Sequence, residues 1–129
     1  MIEETDLAYT AAFLDGEGCI NISRRMTRTG RNYSYRLECI FSNNHQGVLV
    51  YLQKLWGGAI FETRANHFQL RLGAQATAAL LIACKPYLKI KTEQADHALR
   101  FYDTFKAAAD VAVFEEREKM FTHLKTLRI

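Results

Sequence analysis

The chain has 129 residues, with 17 Lys and Arg against 14 Asp and Glu, giving a formal net charge of +3. That length predicts one domain over 1–129, large enough to build a core without cross-links. A single Pro and a 49% hydrophobic share exclude a disordered chain. No apolar run approaches the ~20 residues needed to span a bilayer, so no membrane partner is expected. Met-Ile-Glu-Glu-Thr at the start lacks a basic stretch followed by an apolar one, and no secretory leader is predicted. Cys19, Cys39 and Cys84 are odd in number and widely spaced. They predict reduced thiols in an intracellular protein rather than a disulfide frame or a zinc site.

The first element is a helix. Thr5 and Asp6 offer oxygens suited to capping its N-terminus, and Leu7, Ala8, Ala11, Ala12 and Leu14 make it apolar on more than one side. Ala8, Ala11 and Ala12 would let another helix approach almost backbone to backbone. Gly16 and Gly18 predict an abrupt stop and an immediate strand, which presents Glu17 at the end of a packed helix.

Residues 19–25 and 33–42 then read as strands joined by a loop with Thr27, Thr29 and Gly30. In the second, Tyr35, Leu37, Cys39 and Phe41 alternate with Arg36, Glu38 and Ser42, and Ile40 interrupts the polar side. In the first, Ile20 and Ile22 oppose Cys19, Asn21, Ser23 and Arg25. A helix over 45–55 places Val48, Leu49, Leu52 and Leu55 at core spacing and ends at Trp56-Gly57-Gly58. A second hairpin follows, about 59–64 and 67–72 around Ala65-Asn66. Phe68, Leu70 and Leu72 alternate with His67, Gln69 and Arg71, and Glu62 and Arg64 are expected on the same polar face. Ala74–Cys84 reads as a buried helix, punctuated by Pro86. The next helix runs from Thr92 to about Phe105 with Ala95, Ala98, Leu99 and Tyr102 along one side, and the last from Asp110 to about Leu124.

Charge is unevenly spread. Between Gly18 and Leu37 lie Arg24, Arg25, Arg28, Arg31 and Arg36 with no acid, whereas half the acids fall between Glu93 and Glu118. A basic face with acids elsewhere suits a polyanion, although a solvated arginine-rich hairpin gives the same pattern.

The segment Thr10-Ala11-Ala12-Phe13-Leu14-Asp15-Gly16-Glu17-Gly18, followed by a strand, resembles the signature of the LAGLIDADG homing endonucleases. Thr10 and Ala12 stand where that family more often has Leu or Ile and Gly, on what is expected to be the packing face. Glu17 replaces the more familiar Asp. Pro86-Tyr87-Leu88-Lys89-Ile90-Lys91 resembles the segment after the second hairpin in single-motif members. The resemblance implies an α+β fold of plan αββαββα, with a curved four-stranded antiparallel sheet as a DNA saddle and helices behind it.

It also implies a homodimer formed through Ala8, Ala11, Ala12 and Asp15, since only one acidic motif is present. Glu17, with Gly16 beside it, would hold Mg²⁺, with Mn²⁺ as a substitute. Lys91, with Lys89 as rival, would lie beside the scissile phosphate. Asn44, or His45 if the alignment slips by one, would organise water, although Asn-Asn before a helix is also good capping chemistry. Asp15 is expected to end and cap its own helix.

The implied partner is double-stranded DNA, read in the major groove by the polar sheet face. Asn21, Ser23, Arg25, Arg36, Glu38 and Ser42 on the first hairpin are the candidate contacts there. On the second they are Glu62, Arg64, His67, Gln69 and Arg71. Arg28 and Arg31, at a hairpin tip, suit phosphate contacts. The implied activity is site-specific double-strand cleavage of a near-palindromic target across the minor groove, leaving 3′ overhangs, by an intron-encoded protein of intron homing. The alternative is a catalytically inactive nucleic-acid-binding protein of the same fold, an intron maturase or a regulator.

Overall fold

Alternating and helical apolar patterns resolve into ten elements in a computed structural model that describes residues 2–26, 30, 33–104 and 111–127. They are α1 (Glu4–Glu17), β1 (Gly18–Met26), β2 (Tyr33–Asn43), α2 (Gln46–Trp56), β3 (Ala59–Arg64), β4 (His67–Leu72), α3 (Ala74–Cys84), a 3-10 turn (Lys85–Tyr87), α4 (Thr92–Asp103) and α5 (Val111–Leu127). The strands form one four-stranded sheet in the order β1-β2-β4-β3, with every neighbouring pair antiparallel. The second strand of each hairpin therefore occupies the centre. This is the expected α+β fold.

Period-two alternation decides what each sheet face does. Ile20, Ile22, Leu37, Cys39, Phe41, Leu70 and Leu72 are buried on one face against Leu14, Leu49, Leu52, Leu80, Leu81 and Phe101 from the helices. Each such side chain contributes roughly 1.5–3 kcal/mol by leaving water. The opposite face contributes little of that, so its residues can serve another purpose.

Several local expectations give way. Thr5 lies inside α1, because the helix begins earlier: the Glu3 N–H donates to Asp6 Oδ2 at 3.2 Å, and Asp6 closes the turn from within. Asp6 Oδ1 also accepts from the Tyr51 hydroxyl at 2.6 Å, tying α1 to α2, and that bond and burial push the Tyr51 phenol up to about 12. Helix α1 does not stop at Gly16 but runs to Glu17. Gly18 is needed for space rather than for backbone freedom. A Cβ there would lie 2.6 Å from Leu14 Cδ1 and 3.0 Å from Leu14 Cα.

Thr10 is not on an outward packing face. It is fully buried, donates to the Asp6 carbonyl at 2.7 Å and accepts from Trp56 Nε1 at 3.2 Å. Helix α3 is not buried all round, since Ala79 is exposed and Ile82 is 66% exposed. Arg24 leaves the basic face. It pairs across β2 with Tyr35, lies over the Tyr33 and Phe121 rings, and forms an ion pair with Glu118 of α5. The Tyr35 hydroxyl donates to the same carboxylate. The predicted ends of α4 and α5 at Phe105 and Asp110 fall outside the described residues; α5 continues past Leu124 to Leu127. Among the described residues no helix is long and apolar enough to cross a membrane.

Candidate active site and nucleic-acid interface

The sheet face away from the helices is ordered by register. Asn21 pairs with Glu38, Ser23 with Arg36 and Arg25 with Ser34 across β1 and β2. Farther along, Ile40 pairs with Arg71 and Arg71 with Ala59; Ser42 pairs with Gln69 and Gln69 with Phe61. These rows are polar with few exceptions, and Arg25, Arg36, Ser42, Arg64 and Arg71 are exposed. Arg28 and Arg31 lie outside the described residues.

Two members of the expected polar face behave otherwise. Glu62 pairs with Phe68, which puts it on the helix side of edge strand β3, and its Oε2 accepts from Asn66 N–H at 3.4 Å in the turn. The register shifts between Glu62 and Arg64, so Arg64 alone pairs with His67. Glu38 is on the outer face but only 8% exposed. Its Oε1 accepts from Asn21 Nδ2 at 3.3 Å, and its Oε2 faces Arg71 at 3.5 Å. Alternation did not disclose Phe61, 51% exposed in the row of Ser42 and Gln69.

At one end of this face, the end of α1 and the second hairpin line one cavity. Asp15 and Glu17 both lie in the last turn of α1, which has no basic residue. A helix C-terminus carries partial negative charge, so each carboxylate there costs roughly 0.3–1 kcal/mol unless a donor or cation answers it. Asp15 is answered inside the chain. Its Oδ2 accepts the Lys89 and Ile90 N–H groups at 2.7 and 3.2 Å, and its Oδ1 the Lys91 N–H at 3.0 Å. It therefore caps the approach to α4, not the end of its own helix, and its carboxylate is engaged within the subunit rather than presented to a partner.

Glu17 is exposed and has no hydrogen bond or ion pair among the described residues. It lines a cavity of about 420 Å³ with Ser42, Asn43, Asn44, Thr63, Arg64, His67, Phe68 and Gln69. The junction residues divide their labour. Asn43 Oδ1 accepts the His45 N–H at 2.8 Å, and His45 Nδ1 accepts the Val48 N–H at 3.1 Å, capping α2. Asn44 is left facing the cavity with Glu17. Asn43 and Thr63, not singled out from sequence, join it there.

Lys91 differs from Lys89 in the same concrete way. Residues 89–91 form a bend rather than a strand, so alternation does not send the two side chains together. Lys91 Nζ donates to the Asp15 carbonyl at 2.8 Å, which fixes its ammonium at the end of α1. The Gly18 N–H takes the Leu14 carbonyl. The Gly16 carbonyl remains among those that no later helical N–H satisfies.

Of the small residues of α1, Ala8 and Ala12 are exposed, on one side with Gly16 and Tyr9. Ala11 is fully buried in the chain's own core, so it is unavailable to a second subunit. Among the described residues no group of three His, Cys, Asp or Glu side chains could hold a metal ion. The oxygens that the end of α1 presents toward the cavity are the Glu17 carboxylate and the backbone carbonyls beside it.

No protein-family model and no curated protein matches the sequence. Solved structures do. The homing endonuclease I-CvuI, in complex with DNA, is similar over 97% of this chain and 83% of its own, with a TM-score of 0.89 at 21% identity. The archaeal intron-encoded homing endonuclease I-Vdi141I, also with DNA, is similar over 98% and 86%, at 0.87 and 14%. The LAGLIDADG homing endonuclease I-GzeII, with its DNA target, is covered over only 43% of its chain by 92% of this one, at 0.74 and 11%.

The chain has the LAGLIDADG homing-endonuclease fold.

In LAGLIDADG terms, the acidic segment is the end of α1 and the beginning of β1, and the departure at Thr10 is an internal one, accommodated by the Trp56 indole. The LAGLIDADG helix thus has two faces of different use. Thr10, Ala11 and Leu14 face the subunit's own core, and Ala8 and Ala12 face outward.

Proposed function

We propose that this protein is a homing endonuclease, a metal-dependent DNA phosphodiester hydrolase that acts as a homodimer on double-stranded DNA. The observation that carries the proposal is the meeting of Glu17 and Asn44 on one polar cavity at the end of an outward polar sheet face, with Lys91 held at the same helix end. The similarity to DNA-bound homing endonucleases supports the substrate class. The match to less than half of I-GzeII supports a pair of such units as the working assembly.

The donor set suits a hard cation. The Glu17 carboxylate and Gly16 carbonyl are oxygens at the negative end of a helix, the kind of ligand Mg²⁺ takes, and Mn²⁺ should substitute. One subunit offers too few ligands for such an ion, so Glu17 of a second copy and the DNA phosphates would be needed to hold it. A divalent ion held there would supply positive charge to the oxygens of the scissile phosphodiester and lower the pKa of water. The chain's own groups do the rest. The Lys91 ammonium, positioned by the Asp15 carbonyl, adds charge stabilisation, and the Asn44 amide orients water in the cavity. Arg25, Arg36, Arg64 and the tip residues Arg28 and Arg31 hold phosphates. Asn21, Ser23, Ser42, His67, Gln69 and Arg71 face base edges. A two-fold dimer calls for a near-palindromic target, and cutting both strands across the minor groove would leave 3′ overhangs. An intron-encoded origin fits this activity.

The test is cleavage of a plasmid library of candidate sites with Mg²⁺ by wild type and by Glu17→Gln. The variant should lose at least about 100-fold in rate, since it removes charge from the cation site. Equal cutting by both proteins refutes the role of Glu17. Tight, metal-independent binding by wild type without any nick would favour the non-catalytic alternative.

A further inference from the structure

Glu38 is an acid where phosphates are expected, and it is only 8% exposed. A buried carboxylate is costly unless donors answer it, and here they come from two neighbouring strands. Asn21 Nδ2 donates to Oε1 at 3.3 Å from β1, and Arg71 Nη1 to Oε2 at 3.5 Å from β4. Arg71 is held from its other side as well. Its Nε and Nη2 both donate to Gln69 Oε1, at 3.3 and 3.1 Å.

The inventory of donors then narrows what Arg71 can recognise. A guanidinium carries five N–H groups, and the three contacts above occupy one each on Nε, Nη1 and Nη2. One N–H remains on each terminal nitrogen, on a side chain that is 44% exposed. A guanidinium with a donor to spare on each terminal nitrogen suits the O6 and N7 acceptors that guanine shows in the major groove. Gln69 has given its oxygen to Arg71, so only its amide donors face outward, and it cannot make the donor–acceptor pair that adenine requires.

We propose that Arg71 reads a guanine in the target and that Glu38 is a positioning residue, aiming the guanidinium instead of contacting DNA. This rests on the DNA-binding role argued above and adds which base is read and by what device.

The experiment is selection from a duplex DNA library with a randomised central region, with Ca²⁺ in place of Mg²⁺, followed by binding to every single-base variant of the selected sequence. For Arg71→Lys, which keeps the charge but loses the fork, discrimination for guanine at one base pair and its symmetry mate should fall roughly 5- to 150-fold. Preferences at other positions should stay. Glu38→Gln should weaken discrimination several-fold at that same pair with a melting temperature near wild type, an effect that a merely structural role would not confine to one base. If the Gln variant does not fold, Glu38→Asp, which draws the carboxylate back by one methylene, serves in its place. Uniform weakening across all sequences by Arg71→Lys would mark a phosphate contact and overturn the guanine assignment. An unchanged preference in the Glu38 variants would overturn the positioning role. If wild type enriches no sequence, the DNA-target role itself fails and this proposal falls with it.

Discussion

Two acids two residues apart do unlike work, and the difference comes from what each can reach. The Asp15 carboxylate meets three backbone N–H groups of residues 89–91, so it holds the 3-10 turn and α4 against α1 and places Lys91 in the same stroke. Glu17 meets no such partner and lines the cavity. Gly18 makes that geometry possible by letting the chain pass over Leu14 as it turns into β1. Its φ of −101° is open to any residue, so only crowding opposes a side chain there. In Gly18→Ala the new methyl would have to displace Leu14 Cδ1, which can move, and also the Leu14 backbone, which cannot. Overpacking of this kind costs about 1–3 kcal/mol. Urea unfolding should show that loss, with a lower midpoint at unchanged slope, and an unaltered midpoint would show that the helix end yields.

At the scale of elements, α5 is attached to the rest by unlike contacts at successive turns. Glu118 engages Arg24 and Tyr35 on the first hairpin, and Leu124 is buried. The Met120 carbonyl lies 2.8 Å from His97 Nε2 of α4, and His97 packs edge-on to His123 with ring centroids 4.8 Å apart. Burial holds the His97 imidazole below its usual 6.5, with His123 and Arg100 adding to the shift; the Met120 and Glu116 contacts oppose it. The sign follows: as pH falls below 6.5 the unfolded chain takes up a proton that the folded one resists, so stability is lost on acidification. Thermal unfolding from pH 7.5 down to 5 should show a falling melting temperature, and His97→Gln should flatten that slope whatever it does to the absolute value. An equally steep slope in the variant would assign the effect elsewhere.

The same elements show what sequence patterning can and cannot reach. Alternation in β2 and β4 gives both faces correctly, because period two is a local property and both strands are central. On β3, period two keeps Glu62 with Ile60 on the helix side, and only the register shift beside the Ala65-Asn66 turn returns Arg64 to the outer row of His67, so the two do not share a face. Arg24 leaves the basic face for a different reason: alternation already sets it on the side of Ile20 and Ile22, and the carboxylate that holds it there, Glu118, is 94 residues away. In the candidate site, Glu17 and Asn44 stood out through motif position. The Asp15–Lys91 linkage, spanning 76 residues, left no local trace.

At the scale of the molecule, a residue with no purpose inside the chain points outward. Gly16 sits inside helix α1, where Gly is roughly 0.5–1 kcal/mol worse than Ala, and a Cβ there would meet nothing within 4 Å. Ala12, one turn earlier, is also exposed, and so is Ala8. Small residues that nothing in the subunit requires are what a second α1 would need in order to approach across a two-fold axis, bringing the two Glu17 carboxylates together. Ala12→Gln tests this without harming the helix, since Gln is a good helix former and the site is open to solvent in one subunit. In the proposed dimer the longer side chain would enter the contact twice. At about 1–3 kcal/mol of overpacking each time, the dissociation constant should rise tenfold or more. Sedimentation over a dilution series should then show the variant passing to monomer at concentrations where wild type stays paired, with the far-ultraviolet dichroism of the two alike. On the proposed mechanism, in which two Glu17 carboxylates hold the ions, cleavage should fall in step with the dimer fraction. A variant that stays monomeric and still cuts both strands at full rate would remove the two-fold site from the mechanism.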